Sequence, residues 1–190
     1  MRFPYNPTKA AQATAYLASL YGEKEIALFK AVKLIYLANR MALIEIGRPI
    51  TGDKLVNMEL GGVPSQTYDA LKIEDEDDSL RSPWSVYIEP VPGKPFKFRP
   101  KADSPDLLDL SEYELAVLKK AHGKIAYMQK QALVDYMHAL EEYKQPSPGG
   151  TLPIDLADIL RNASKSQEQI EEIETQAEEA YFLAALCRTA

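Results

Sequence analysis

A chain of 190 residues, 46% hydrophobic and 26% charged, is long enough for one domain with a real core, and its formal net charge of −6 works against non-specific adhesion to nucleic acid, which needs clustered cations. One cysteine, Cys187, and two histidines, His122 and His138, allow neither an internal disulfide nor a metal-ligand cluster, so no cofactor and no metal is expected. No run approaches the roughly 18 uncharged apolar residues of a membrane span, and Met1-Arg2-Phe3-Pro4-Tyr5 lacks the apolar stretch of a signal peptide, so a cytoplasmic location without membrane contact is expected.

In chain order, Asn6-Pro7 reads as a helix start, Asn as the cap and Pro at the first helical position, with Gly22 as the stop. Ala13, Tyr16, Leu17 and Leu20 fall on one face of this helix. Residues 25–46 predict one long helix, because from Ile26 to Ile46 nearly every position is apolar and neither Gly nor Pro intervenes. A helix that is hydrophobic almost all round belongs in the middle of a domain. Gly47 ends it, and Arg48-Pro49-Ile50-Thr51-Gly52-Asp53 turns the chain. Lys30, Lys33, Leu37 and Arg40 follow helical spacing, which puts Lys33 and Arg40 about 10 Å apart on one side. A basic stripe on a buried helix needs compensation, either from the domain's own carboxylates and rim water or from an anion or partner held in a groove bordered by Tyr36.

Residues 53–60 predict a short helix, broken by Gly61-Gly62, and residues 64–71 predict another. The glycine pair is either a turn requiring positive φ or a point of close backbone approach by a partner. The acidic run Glu74-Asp75-Glu76-Asp77-Asp78 reads as a solvated loop, or as an electrostatic lure for a basic partner. Trp84-Ser85-Val86-Tyr87-Ile88-Glu89 and Pro95-Phe96-Lys97-Phe98-Arg99, joined through Pro92-Gly93, predict a β-hairpin whose apolar face lies on the helices, with Trp84 in the core.

Ser111-Glu112-Tyr113-Glu114 is a capping box opening a helix to about Gly123. A further helix is predicted over residues 128–142, with Leu133, Val134, Met137 and Leu140 inward, and Gln145-Pro146-Ser147-Pro148-Gly149-Gly150 ends it. Residues 153–160 predict a short helix. A second capping box, Ser166-Gln167-Glu168-Gln169, opens a helix to the C-terminus with a seam of Ile170, Ile173, Ala177, Ala180, Ala184 and Cys187 and flanks rich in glutamate. That helix needs something to lie against: its own domain, a partner, or a second copy in a homo-oligomer. The predicted fold is therefore mainly α within the α+β class. A helical domain over residues 1–163 surrounds a central buried helix and carries one small β-hairpin, and residues 164–190 form a C-terminal amphipathic helix.

The usual catalytic patterns are missing: there is no Gly-rich phosphate loop, no Gly-x-Ser-x-Gly elbow and no Cys near a His in a recognised arrangement. His138, beside Met137 and near Leu140, reads as a satisfied core histidine, and the adjacent Glu141 and Glu142 point different ways on a helix. An enzyme is not expected.

The words Lys33-Leu34-Ile35-Tyr36-Leu37-Ala38-Asn39-Arg40, Gly47-Arg48-Pro49-Ile50-Thr51-Gly52-Asp53 and Gly61-Gly62-Val63-Pro64-Ser65 with Tyr68 resemble the Panacea domain of SocA-like antitoxins. The resemblance continues through Leu110-Ser111-Glu112, His138 and Leu152-Pro153-Ile154-Asp155, over roughly residues 8–160. The family usually reads Gly-Pro-Val where this chain has Gly61-Gly62-Val63, and the aromatic after the His is here Tyr143 rather than Trp. The resemblance implies the antitoxin half of a bacterial or phage toxin–antitoxin pair, acting by binding a cognate protein toxin encoded next to it. Direct neutralisation and delivery of the toxin to a protease are the two modes it implies. The partner-binding residues are expected to be Lys33, Tyr36, Arg40, Gly61 and Gly62 on the domain and Ile170, Ile173, Ala177 and Tyr181 on the last helix. A nucleic-acid-binding regulator and a hydrolase or transferase built on Lys33, Tyr36 and Arg40 are the rivals.

Overall fold

The computed structural model describes residues 1–72 and 80–189. The acidic run at residues 74–78 lies outside them. The fold is α+β, with eight helices and two three-stranded antiparallel sheets among the described residues. No helix there is long and apolar enough to cross a membrane.

Helix α2 (Leu28–Ile46) is the centre, and every residue from Ala31 to Asn39 is buried, Lys33 and Asn39 included. It starts later than the predicted residue 25 because Ile26 and Ala27 form a strand instead. This strand, β1 (Ile26–Ala27), pairs antiparallel with Phe98 and Lys97, and the Leu28 N–H donates to the Phe96 carbonyl at 2.8 Å. Ile26 enters the core from an extended backbone that a helix would have turned away. At the other end Gly47 takes φ +73°, and its N–H reaches the Leu43 carbonyl at 2.9 Å, the left-handed cap the sequence predicts.

Helix α1 (Pro7–Ser19) is capped as expected by the Asn6 side chain, which accepts from the Lys9 N–H at 2.9 Å. It presents Ala10, Ala11, Ala13, Ala15 and Ala18, all fully buried, so its backbone can lie close to its neighbours. Helix α5 (Glu112–Ile125) packs along α2, and both halves of its capping box form, between Ser111 and Glu114.

The helix predicted over residues 53–60 is not there. Instead β2 (Leu55–Met58) and β3 (Gly61–Pro64) make a hairpin in the register Leu55↔Pro64 to Met58↔Gly61. On its other edge β2 pairs with β6 (Leu152–Pro153), so it is a central strand covered on both sides. Leu55, Val56 and Asn57 are consecutive and all buried, which removes the alternation by which a strand is ordinarily recognised. Helix α3 (Ser65–Leu71) follows at the predicted place.

In the second sheet β5 (Lys97–Pro100) pairs with β1 on one side and β4 (Ile88–Pro90) on the other. The predicted first strand of this hairpin is half helical: Trp84 to Tyr87 form a single turn, α4 (Trp84–Tyr87), that carries Trp84 into the core against α1 and leaves Val86 exposed. Helix α6 (Lys130–His138) is shorter than predicted. The chain turns at residues 139–142, closing with a Tyr143 N–H to Leu140 carbonyl bond of 2.9 Å, and this brings Glu142 back beneath α2. The short helix predicted over residues 153–160 begins later, as α7 (Leu156–Asn162), because Leu152 and Pro153 join β2 and Asp155 then caps the helix through the Ala157 N–H.

The last helix, α8 (Gln167–Thr189), opens on a reciprocal cap: Ser166 Oγ accepts from the Gln169 N–H at 3.2 Å, and Gln169 Oε1 from the Ser166 N–H at 3.0 Å. Ile170 and Ala177 are buried against the rest of the chain. A Cβ on Gly47 would come within 2.9 Å of Ile173 Cγ1, so α8 lies directly on the end of α2.

Candidate functional site

The polar residues of α2 converge on one buried place between α2, the β2–β3 hairpin and the turn after α6. One helical turn separates Lys33 from Tyr36, and another separates Tyr36 from Arg40, so the three stand in a row. Lys33 is 1% exposed, and its Nζ donates to the carbonyls of Gly61 at 2.7 Å and Gly62 at 3.0 Å. The Phe29 ring centroid lies 5.8 Å from the same nitrogen. Burial pushes the Lys33 pKa down to about 7.

Glu142, 3% exposed, answers the other two. Its Oε1 accepts from the Tyr36 hydroxyl at 2.9 Å and from Arg40 Nε at 2.6 Å, and its Oε2 accepts from an Arg40 terminal nitrogen at 3.2 Å. The Asn57 side-chain amide donates to the Glu142 backbone carbonyl at 3.1 Å, which ties β2 to the same turn. Burial and the adjacent carboxylate both raise the Tyr36 pKa, keeping its proton on. Burial opposes the charge on Arg40, but the hydrogen bond and charge of Glu142 outweigh it and hold the guanidinium pKa above its usual value. The basic stripe is thus compensated by the domain's own carboxylate and carbonyls.

The two glycines are what let this arrangement close. Gly61 has φ +97°, and a Cβ there would fall 2.5 Å from Met137 Cβ. Gly62 has ordinary φ, but a Cβ would lie 2.5 Å from the Tyr36 ring. Gly61 needs the left-handed conformation, as the turn reading expects, and Gly62 permits a close approach, made by Tyr36 of the chain itself rather than by a partner.

A second buried network joins the turn after α2 to α3. Asn39 holds Thr51 through two bonds, side chain to hydroxyl at 2.8 Å and backbone N–H to amide oxygen at 2.9 Å. Asp53 accepts from the N–H groups of Gln66 at 3.0 Å and Thr67 at 2.8 Å and from the Thr67 hydroxyl at 2.7 Å, so it seats the first turn of α3. Burial raises the Asp53 pKa, and these donors offset part of the rise. His138 is half-buried rather than in the core. Its Nε2 pairs with the Glu59 carbonyl at 2.9 Å, and its ring stacks on Tyr143 at 4.1 Å.

Of the nine residues expected to bind a partner, five meet around this centre: Lys33, Tyr36, Arg40, Gly61 and Gly62. The other four lie apart on α8. Ile170 and Ala177 are buried, Ile173 faces Gly47, and Tyr181 borders a cleft of about 530 Å³ with Arg2 stacked 4.6 Å above its ring. All nine are buried or half-buried and touch the chain itself. Glu142 was not singled out from the sequence. The need to compensate Arg40 was the available signal, but a helix drawn through residue 142 places that carboxylate on the surface. Among the described residues no group of three or more His, Cys, Asp or Glu side chains is arranged to hold a metal ion.

No curated protein and no solved structure matches the chain. The profile of the antitoxin SocA-like family, Panacea domain, matches residues 32–144, from the second turn of α2 to just past the turn that carries Glu142. That span is more than half of the chain and contains the whole buried centre, and the chain belongs to the SocA-like antitoxin family.

Proposed function

We propose that this chain is the antitoxin of a toxin–antitoxin pair and neutralises a cognate protein toxin by binding and occluding it. Membership of the antitoxin family carries the reading. The state of the conspicuous polar residues supports binding rather than catalysis. Lys33, Tyr36 and Arg40, the natural base of a catalytic stripe, are spent on Gly61, Gly62 and Glu142, and they lock the hairpin and the residue 139–142 turn to α2. A rigid platform of this kind suits a protein that must present one shape to a partner.

The test is to mix the purified chain with the purified product of the gene adjacent to its own and measure the mass of the eluting species by light scattering. A complex of defined stoichiometry, together with restored growth on co-expression, is the expected result. No complex with a folded partner would sink the reading. In the same cells the toxin's half-life distinguishes the two modes: unchanged or longer under occlusion, shorter if the chain delivers the toxin to a protease.

A further inference from the structure

Helix α8 has two unlike sides. Ile170 and Ala177, two turns apart, define the side that docks on the domain. Helical periodicity puts Glu171, Glu172, Glu178 and Glu179 on the other side, followed towards the C-terminus by Phe182 and Leu183. All six of these residues are exposed, Phe182 at 63% and Leu183 at 60%.

From Glu171 to Leu183 this face runs about 18 Å, at 1.5 Å per residue. Among the described residues, Glu174 is the α8 glutamate in an ion pair, with the Met1 amino group at 3.2 Å. The Glu171 and Glu172 carboxylates accept from neutral side-chain amides of their own helix, Gln167 at 2.8 Å and Gln176 at 3.3 Å. Like charges at helical spacing and adjacent exposed apolar side chains each cost a helix something when it stands alone. Both costs are relieved by one kind of occupant, a protein surface that is apolar where it meets Phe182 and Leu183 and basic beside it.

Charge decides among occupants. A second copy laid on this face would bring one acidic stripe against another, and nucleic acid would be repelled outright. The whole of α8 also lies outside the span shared with the family, residues 32–144, while the centre within that span is turned inward. Resting on the antitoxin reading above, we propose that the outward face of α8 is where a basic toxin docks, with Phe182 and Leu183 as the apolar anchor and the four glutamates steering the approach.

The experiment measures binding of the full-length chain to the purified product of the adjacent gene by biolayer interferometry. Two variants are compared with wild type, Phe182→Ser/Leu183→Ser and Glu171→Lys/Glu172→Lys/Glu178→Lys/Glu179→Lys. Because the side chains are exposed, both variants should keep the wild-type circular dichroism and melting temperature. The apolar variant is expected to weaken affinity at least about tenfold, mainly through faster dissociation. The charge variant is expected to slow association about tenfold at low salt, a difference that shrinks at about 0.5 M salt. Should both variants bind within about twofold of wild type, the docking face is overturned and the antitoxin reading stands. A wild-type chain that binds nothing overturns both. If wild type is a dimer that Phe182→Ser/Leu183→Ser dissociates while toxin binding is untouched, the face belongs to a second copy and the proposal fails.

Discussion

Replacing Arg40 by Met keeps most of the aliphatic stem and removes the guanidinium. The Glu142 side chain is 1% exposed and that of Arg40 is 19% exposed, so the two ends of the pair are not equivalent. Without Arg40, the Glu142 carboxylate keeps the Tyr36 hydroxyl as a partner but loses its countercharge in a place cut off from water. Breaking a buried pair from this side costs about 3–5 kcal/mol. Glu142→Gln is milder, about 1–2 kcal/mol, because the amide still accepts from Tyr36 and the freed guanidinium can reach water at the rim. The double variant should cost less than the sum, with a coupling of about 1–3 kcal/mol. Against a total stability of about 5–15 kcal/mol, Arg40→Met should lower Tm by roughly 6–20 °C. Urea unfolding followed through Trp84, the single tryptophan and a core residue, measures all three variants. A cost for Arg40→Met below about 1 kcal/mol, or below that of Glu142→Gln, would refute the reasoning and return Arg40 to the surface, where a partner could use it.

Three further outcomes are expected. Because the Lys33 pKa is about 7 in the fold against about 10.4 in an unfolded chain, the unfolded state binds the extra proton between those values. Wild type should therefore gain stability relative to Lys33→Met as pH rises from 7 to 9.5, by about 1 kcal/mol per pH unit, in urea titrations at each pH; parallel curves would mean that Lys33 stays charged. Gly62→Ala puts a methyl group 2.5 Å from a Tyr36 ring that is held by Glu142, and should cost about 1–3 kcal/mol in the same assay, whereas no loss would show that the hairpin can shift. Asp53→Ala removes four acceptor contacts at the start of α3 and should cost at least about 1–2 kcal/mol, with faster amide exchange at Gln66 and Thr67 as its local signature.

What the sequence disclosed was whatever a few adjacent residues decide. The Asn6 cap, the Gly47 stop and the capping boxes at Ser111 and Ser166 depend on side chains within four positions of the groups they satisfy, and all four are found. What it concealed depends on distant partners. Strand β2 has no alternation because it is buried at the centre of its sheet, between β3 and β6; β1 exists because β5 is there to pair with it; α6 ends early because Glu142 is needed under Arg40, 102 residues away in sequence. The site was half legible on the same grounds. Lys33, Tyr36 and Arg40 could be placed on one side of α2 from spacing alone, but the groups facing them could be found only in three dimensions. On α8 the seam stood out in the sequence while the opposite face, which stays exposed, drew less notice.

The division between an inward centre and an outward helix predicts two kinds of failed antitoxin that can be told apart. Variants at Arg40 or Glu142 act through folding, so their loss of toxin binding should follow the unfolded fraction and recover when the protein is cooled towards its temperature of maximum stability, about 10–20 °C. Variants at Phe182 and Leu183 leave the folded fraction unchanged, so their loss should persist at every temperature at which wild type binds. Binding titrations of Arg40→Met and Phe182→Ser/Leu183→Ser at 15 °C and 37 °C separate the two. Recovery of the first variant alone is the outcome that keeps the buried centre structural and the α8 face functional. If Arg40→Met stays defective at 15 °C while fully folded, Arg40 reaches the toxin itself, and the inward reading of the stripe from Lys33 to Arg40 is wrong.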